Sequence, residues 1–398
     1  MIFPAAPRAV LGLVVLVFLA GCGSMRQYDS EMAGVKNKLA AGQADLALMD
    51  HEKANSGDDK DLLYYFEKGE ILRLKKDFAG SRNTWFKADE QIQIWENDAR
   101  TDTEKYLKSA ATVLANDKTS RYDGYDYEKV MLSTRVALDH IALDDWAAVR
   151  TEIKKTHERE SLIKELNEKK YARTEQEASK NRKVTTSYST LKGYPVETLD
   201  DPEVVNLRNG YQSAFSHYLA GFVYEALGEP SLAAPGYRTA IELRPNTAIL
   251  TEALNGLDAR VSRARGAKNV TDVLFVVESG MAPARKSKPI AFPLITHRGV
   301  VVNQISFPVI QPDLHIHIPA EIVVDTGTKV SITPVTNIDA MARRVLRDEM
   351  PGIILRTVVR ATTRAVAQAE PGRRAAIALV GVNREQAFSY HVFSSEFL

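Results

Sequence analysis

The sequence has few cysteines, almost no net charge and none of the common enzyme motifs that would identify a function. A single cysteine in 398 residues forms no intrachain disulfide and no cysteine-based zinc site, because both need a second thiolate nearby. The sequence also has no excess of charge of one sign, since it contains 52 Lys+Arg and 51 Asp+Glu. This balance excludes a nucleic-acid-binding protein whose whole surface is basic. Motifs for phosphate loops, dinucleotides and serine hydrolases are absent. The sequence therefore gives no positive support for these enzyme classes, for a cofactor or for a nucleic-acid partner.

The hydrophobic run near the N-terminus is too short to span a membrane. Residues 9–20 are 12 apolar residues that follow Arg8. As a helix they would be about 18 Å long, against about 30 Å for a bilayer core. A positive residue before a run of this length is typical of a signal peptide.

The run ends in a lipid-attachment motif. Leu19-Ala20-Gly21-Cys22 resembles the lipobox of bacterial lipoproteins, in which the cysteine thiol receives diacylglycerol. The resemblance implies a signal peptide at residues 1–21 and a mature chain that acylated Cys22 anchors to a membrane. Gly23, in place of an aspartate, is typical of outer-membrane lipoproteins that face the periplasm. An ordinary secretory peptide with a chance cysteine is the alternative.

Residues 22–265 are predicted to form an all-α domain, because from residue 27 the apolar residues recur at spacings of three and four. The clearest unit is residues 214–245. Its small, aromatic and proline positions fall at offsets 0, 3, 7, 12, 16, 19 and 24: Gly221, Tyr224, Gly228, Ala233, Tyr237, Ala240 and Pro245. These offsets match the tetratricopeptide (TPR) repeat, a helix pair that stacks on its neighbours and presents a face for a peptide.

Other units in this region are weaker. Residues 62–90 and 127–156 carry partial matches, and residues 35–54 make a half-unit around Gly42. Residues 151–183 contain ten Lys/Arg and seven Asp/Glu, which predicts a solvated helix with pairs such as Glu160 with Lys164 and Glu165 with Lys169. A protruding helix that contacts a partner or anionic lipid is the alternative. Residues 184–202 are predicted to be a loop.

Residues 266–398 are predicted to form an α+β module, so that the whole chain is an α+β multidomain protein. Runs rich in Val, Ile and Phe predict antiparallel strands. They lie at residues 270–278, 290–295, 300–310, 321–324, 329–334, 375–382 and 387–393. A pair of helices, at residues 338–349 and 353–369, is predicted to be split at Met350-Pro351-Gly352.

Several segments together resemble a known family. They are the lipobox, the run at residues 122–131, the TPR-like helices, residues 273–280, residues 305–309 and the helices from Ala342 to Arg364. The combination resembles uncharacterised bacterial outer-membrane lipoproteins with TPR-like repeats. The resemblance implies an envelope protein with protein-interaction helices and neither an established cofactor nor an established catalytic activity.

Two motifs suggest chemistry that the surrounding sequence does not favour. Asp325-Thr326-Gly327 is similar to the catalytic loop of aspartic proteases, which need two facing aspartates. This chain has one such motif, and predicted helices intervene before the apolar-glycine segment that would complete a protease fold, so an ordinary turn is favoured. His315 and His317, with Asp313, are too few for a zinc site, because two histidines on one strand give only two ligands. No catalytic residue and no metal site is predicted.

Arg356, Arg360 and Arg364 follow one another at four-residue spacing on one helix face. A solvated face is favoured, but these are the candidate partner-binding residues, for an acidic partner or phosphate headgroups. An anionic glycan is another possible ligand, with tryptophans such as Trp85, Trp95 and Trp146. The function expected is a lipid-anchored periplasmic scaffold or assembly factor for an envelope machine, non-enzymatic, with envelope proteins as partners. The alternatives are a glycan- or small-ligand-binding lipoprotein and, more remotely, an aspartic-type hydrolase. The sequence leaves the oligomeric state open.

Overall fold

The described part of the computed structural model comprises residues 28–107, 122–181, 186–266, 273–296, 299–312, 321–323, 327 and 329–369. Within it the chain is mostly helical, with a small region of antiparallel strands towards the C-terminus. None of the helices in these residues is long and apolar enough to cross a bilayer. Eleven α-helices of the described residues precede the strands in the chain, and one long helix follows them.

The helices are α1 (Tyr28–Ala40), α2 (Ala44–Ala54), α3 (Leu62–Leu74), α4 (Phe78–Thr101), α5 (Asp126–Ala142), α6 (Trp146–Lys180), α7 (Pro202–Val205), α8 (Ala214–Ala226), α9 (Pro230–Leu243), α10 (Ala248–Asn255), α11 (Leu257–Gly266) and α12 (Ile338–Ala369). One hairpin consists of β1 (Arg285–Thr296) and β2 (Gly299–Ile310), with Arg285 opposite Ile310 and Thr296 opposite Gly299. The other consists of β3 (Glu321–Val323) and β4 (Lys329–Ser331).

Four helix pairs, α1–α2, α3–α4, α5–α6 and α8–α9, are joined by the same three-residue turn. Its middle residue has a left-handed backbone in every case: Gly42 (φ 71°), Lys76 (φ 63°), Asp144 (φ 58°) and Gly228 (φ 74°). The amides of this residue and the next donate to carbonyls three and five residues back, which is the Schellman ending of a helix. Gly42 and Lys76 are 34 positions apart, and Lys76 and Asp144 are 68 apart, twice that spacing.

Two of the pairs also share a close approach between their helices. A Cβ on Gly69 would lie 2.7 Å from a ring carbon of Trp85, and a Cβ on Gly221 would lie 2.6 Å from a ring carbon of Tyr237. In each pair the aromatic residue follows the glycine by 16 positions. Glycine is required at both places because any side chain would overlap the ring that fills the gap between the helices.

Successive helices pack on their neighbours in chain order, with α2 on α3, α4 on α5, α6 on α8 and α9 on α10. The apolar clusters between them are buried, with Trp85 and Leu132 in one and Val149, Leu219 and Tyr237 in the next. The helical region therefore has a core that continues from pair to pair.

The charged stretch predicted at residues 151–183 lies largely in the single long helix α6. Its outer face carries the predicted pair Glu165 with Lys169, whose atoms are 2.6 Å apart. The predicted pair of Glu160 with Lys164 is wrong. Glu160 faces α8 instead, where its carboxylate lies 3.1 Å from Nε2 of His217 and accepts a hydrogen bond of 2.9 Å from Gln212. One face of α6 is therefore buried against the next helix pair and is not solvated.

The predicted loop at residues 184–202 has no long helix, and its described residues from 186 include two short 3₁₀ turns, Tyr188–Thr190 and Val196–Thr198. The loop is packed more tightly than its composition suggests, because Leu191, Tyr194 and Leu199 are buried. They belong to the same cluster as residues of β1, β2 and α12.

The strand predictions are confirmed at the two longer hairpin strands and corrected elsewhere. β1 and β2 include residues 290–295 and 300–310, and β3 is present at residues 321–323. β4 ends at Ser331 and not at residue 334. The strand predicted at 270–278 is wrong for its described part, because residues 273–279 form neither strand nor helix. The strands predicted at residues 375–382 and 387–393 lie outside the described residues.

The predicted pair of helices at residues 338–349 and 353–369 is also wrong, because α12 is one helix that continues through Pro351. A proline inside a helix costs about 3 kcal/mol. Packing offsets this cost: Met350 and Ile354, on either side of the proline, are fully buried against the strands.

The strands and α12 share a core with the helical region. The cluster that contains Phe307 of β2 and Leu346 of α12 also contains Tyr127 of α5 and Leu199 of the loop. The Tyr194 hydroxyl donates a hydrogen bond of 2.9 Å to the carbonyl of Pro308. Elements from both sides of residue 266 therefore pack as one apolar cluster.

Candidate peptide-binding face

An irregular stretch of the chain lies against the first helices of three helix pairs. We call residues 273–282 the crossing segment. Glu278 in this segment pairs with Arg73 of α3 and with Arg135 of α5. Leu274 packs against the apolar cluster that includes Leu219 and Val223 of α8. The faces of α3, α5 and α8 thus contact a stretch of polypeptide that is neither helix nor strand from residue 273 to residue 279.

Glu278 is the centre of a charge cluster that consists of Glu70, Arg73, Arg135, Asp139 and Glu278. One Glu278 oxygen is 2.6 Å from Nη1 of Arg73, and the other is paired with Nη1 of Arg135. Behind them, Glu70 lies 3.4 Å from Nε of Arg135, and Asp139 lies 3.9 Å from Nε of Arg73. A carboxylate between two guanidinium groups makes charge-assisted contacts, which are the strong ones in proteins.

Burial changes the pKa values of two residues in the charge cluster, Asp139 and Arg135. It raises the pKa of Asp139 to about 7, with Glu70 adding to the rise and Ser81 and Arg73 opposing it. It also lowers the pKa of the Arg135 guanidinium to about 10, although Glu70 and Asp139 favour its charge. Asp139 is therefore partly protonated near neutral pH. The carboxylate of Glu278 then becomes important for balancing the two arginine charges.

The crossing segment leaves a run of apolar side chains exposed. The exposed fractions are 64% for Val273, 47% for Phe275, 36% for Val276 and 38% for Val277. In the described part of the chain, residues 273–277 form no hydrogen bond. Contiguous exposed apolar residues of this kind mark binding surfaces.

A cavity of about 460 Å³ opens beside the crossing segment. Its floor includes Met131, Phe215 and Tyr218, and residues 331–337 form the opposite wall. The volume is within the range of about 300–1,000 Å³ that is typical of ligand sites. This face can therefore take an extended apolar chain or a small apolar molecule.

The arginine residues predicted as partner-binding lie elsewhere. Arg356 and Arg360 are one turn apart on α12, and both are half-buried. A Cβ on Gly352 would lie 3.0 Å from Nη1 of Arg356 and 3.3 Å from Thr174, so Arg356 is at the contact of α12 with α6. Burial lowers the pKa of Arg356, while Glu349 and Glu177 oppose that change. The side chain of Arg364 and the lipid-attachment residue Cys22 lie outside the described residues.

The other candidate residues do not form a site in the described part of the chain. Asp313, His315, His317 and Asp325 lie outside it. No group of three or more potential metal ligands occurs among the residues that it includes. Trp85 is fully buried in the core between α3 and α4, which removes it from the predicted glycan-binding surface.

Sequence reasoning missed Arg73, Arg135 and Glu278, the residues that this face brings together. A signal was present, because Glu278 is the only charged residue in the apolar stretch 273–284. No protein family and no curated protein matches the chain. The geometry of the face is therefore the basis for a functional proposal.

Proposed function

We propose that this protein is a lipid-anchored periplasmic scaffold or assembly factor that binds other envelope proteins and is not an enzyme. The observation that supports the proposal is the crossing segment, a stretch of polypeptide that packs against α3, α5 and α8. The face offers a charged anchor for one carboxylate and apolar contacts on both sides of it. These are the elements of peptide recognition by a preformed groove.

The helix pairs are, in this proposal, repeats of the TPR type. The turns at Gly42, Lys76 and Asp144 are separated by 34 positions and by twice that number, whereas Gly228 follows Asp144 by 84 positions; a TPR unit has 34 residues. The glycine that accommodates an aromatic residue 16 positions later, in two pairs, supports the same interpretation. Stacked repeats of this kind bind partners on an extended surface.

The anchor is the second part of the proposal. The lipobox-like residues before Cys22 support acylation there, and more than one acyl chain would hold the protein stably on a membrane. Anchoring confines the peptide-binding face to a layer near that membrane. A partner in the same layer meets it at a raised effective concentration, without any additional contact.

Site-specific photo-crosslinking in intact cells tests the proposal. A benzoylphenylalanine is placed at Val276 in the crossing segment or, as a control, at Ile94 on α4. Ile94 is 60% exposed and is thus more accessible than Val276, at 36%. Each variant is made with Cys22 and with Cys22→Ala, and incorporation of a palmitate analogue reports acylation.

We expect Val276 to crosslink a reproducible set of envelope proteins that Ile94 does not capture, and we expect fewer crosslinks with Cys22→Ala. Equal patterns at Val276 and Ile94 would contradict the proposed face. Palmitate incorporation that persists in Cys22→Ala would contradict the proposed anchor.

The cavity favours a second candidate function, the binding of a small apolar ligand. Its lining is mainly apolar, with Phe215, Ile249 and Val330 among the residues. Native mass spectrometry of the protein purified from membranes would detect such a ligand as an added mass. Ser331→Trp, at an exposed lining position, should remove that mass by filling the cavity.

A further inference from the structure

The peptide-binding face already has an occupant, the crossing segment of the same chain. We propose that this segment is a tethered ligand, and that a partner binds by replacing it with an extended segment of its own that carries one carboxylate between apolar residues. The inference rests on the proposed function, since it specifies the chemistry of the partner and adds a step that limits its access.

The crossing segment is partly exposed at its N-terminal end, from residue 273 to residue 277, and largely buried at its C-terminal end, from residue 280. Between residues 273 and 278 the segment is held by the packing of Leu274, by the partial burial of Val276 and Val277, and by the ion pairs of Glu278. Gly280, Ala282 and Pro283 are buried and fix the other end. Release of the first part therefore needs the loss of these partly exposed apolar contacts and of the Glu278 ion pairs, and residues 273–279 contain no strand or helix that would have to unfold.

The face tolerates the departure of Glu278 because another carboxylate is ready to replace it. Asp139 lies 3.9 Å from Nε of Arg73, within reach of the same guanidinium group. When Glu278 leaves, ionisation of Asp139 restores a second negative charge beside Glu70. Arg73 and Arg135 then remain balanced, so the empty face contains no unpaired buried charge of the kind that proteins avoid.

The same contacts define the partner. Arg73 and Arg135 approach the two oxygens of one carboxylate, so the partner supplies a glutamate or aspartate at that point. The flanking positions in the crossing segment are Val276, Val277 and small residues beyond. A partner segment of this chemistry is extended, β-branched or aromatic before its acidic residue, and poor in other charge.

The tether determines how strong the competition is. A ligand that belongs to the same chain competes intramolecularly, with an effective concentration that can reach about the millimolar range. A free peptide with the same sequence, present at micromolar concentration, would therefore be excluded from the wild-type protein. It would bind once the tethered copy is expelled.

The experiment uses the full chain, purified in detergent, and a fluorescent peptide with the sequence of residues 273–284, VLFVVESGMAPA. Fluorescence anisotropy compares the wild type with Glu278→Arg, in which repulsion from Arg73 and Arg135 expels the segment. Glu90→Arg, the same substitution at an exposed position of α4, is the matched control. A second peptide carries glutamine in place of its glutamate. Thermal melts verify that each variant folds.

We expect the peptide to bind Glu278→Arg at least tenfold more tightly than the wild type or Glu90→Arg. The glutamine peptide should bind Glu278→Arg at least tenfold more weakly than the glutamate peptide, because a neutral amide leaves the two guanidinium groups without their carboxylate. Should Glu278→Arg fail to fold, Glu278→Gln is measured in the same way, with a smaller gain expected.

A folded Glu278→Arg or Glu278→Gln protein that binds neither peptide would overturn the inference. Equal binding of the two peptides would overturn the role of the carboxylate. Either result leaves the crosslinks from Val276 to envelope proteins intact, so the proposed function would survive. Peptide binding to Glu278→Arg without any such crosslinks would instead show a tethered ligand and contradict the proposed partners.

Discussion

Arg159 of α6 offers the sharpest test of how the helical region is held together. Its guanidinium is buried and donates to Glu96 at 2.5 Å and to Asp89 at 2.7 Å, both on α4. It also donates to the carbonyl of Lys129 at 3.0 Å and to the hydroxyl of Ser133 at 3.1 Å, both on α5. One side chain therefore joins three helices, and Arg159→Met removes all four hydrogen bonds.

The loss of stability in Arg159→Met depends on which carboxylates are left without a partner. Asp89 keeps Lys155 at 3.2 Å, but Glu96 loses its buried partner. Removing one partner of a buried ion pair costs about 3–5 kcal/mol, because the other charge is left uncompensated. We therefore expect Arg159→Met to lower the free energy of unfolding by about 4 kcal/mol. The triple variant Arg159→Met, Asp89→Asn, Glu96→Gln should recover most of that loss.

Urea unfolding at two pH values gives the measurement. Burial alone would raise the pKa of Asp89, but Arg159, with Lys155, holds it below its ordinary value. Without Arg159 this carboxyl is more easily protonated, so the loss should be smaller at pH 5 than at pH 8. Lys169→Met, in the exposed pair with Glu165 on the same helix, should change nothing measurable. An Arg159→Met protein as stable as Lys169→Met, or a triple variant no better than the single one, would refute the reasoning.

Three further predictions concern stability and its pH dependence. Gly69→Ala and Gly221→Ala should each cost about 1–3 kcal/mol in urea unfolding through overpacking against an aromatic ring, whereas Gly57→Ala, which meets no atom within 4 Å, should not. Equal midpoints for the three would contradict the close approach. Burial raises the pKa of Glu128 to about 7 from its ordinary 4.5, despite hydrogen bonds from Tyr122 and the Tyr125 amide. The native protein therefore keeps a proton that the unfolded chain releases, and stability should fall by about 3 kcal/mol as pH rises through this window. Glu128→Gln should flatten that fall in thermal melts, and an unchanged slope would count against the buried proton. Tyr194→Phe should cost about 1 kcal/mol through the lost hydrogen bond to Pro308, and unchanged stability would show that this bond contributes nothing.

Much of the helical region was predictable because helix packing leaves a periodic trace in the sequence. The turn glycines at 42 and 228 and the glycine-to-aromatic spacing in residues 214–245 are local patterns. The equivalent turn positions at Lys76 and Asp144 are not, because a lysine or aspartate gives no sign that its backbone is left-handed. The 34-residue spacing emerges only when those two positions are aligned with Gly42, and Gly228, 84 positions after Asp144, does not fit it.

The site and the C-terminal part were harder to predict for two physical reasons. Arg73, Arg135 and Glu278 are separated by 62 and 143 positions, so no local pattern joins them. In residues 273–277, Val and Phe favour a strand, but these residues form neither strand nor helix and contact helices instead. At Pro351 the local rule predicts a helix end, and burial of Met350 and Ile354 overrides it.

The apolar cluster shared by the loop, α5, the strands and α12 has a consequence for how the molecule unfolds. Tyr127 and Leu199, which precede residue 266, are buried against Phe307 and Leu346, which follow it. If the chain were cut at residue 266 and the halves separated, the apolar side chains of both halves would be exposed to water, because each half buries those of the other. The two stretches should therefore melt in one cooperative transition, with no stable fragment ending at 266 after limited proteolysis. Forces on the strand region would then be transmitted directly to the helix pairs.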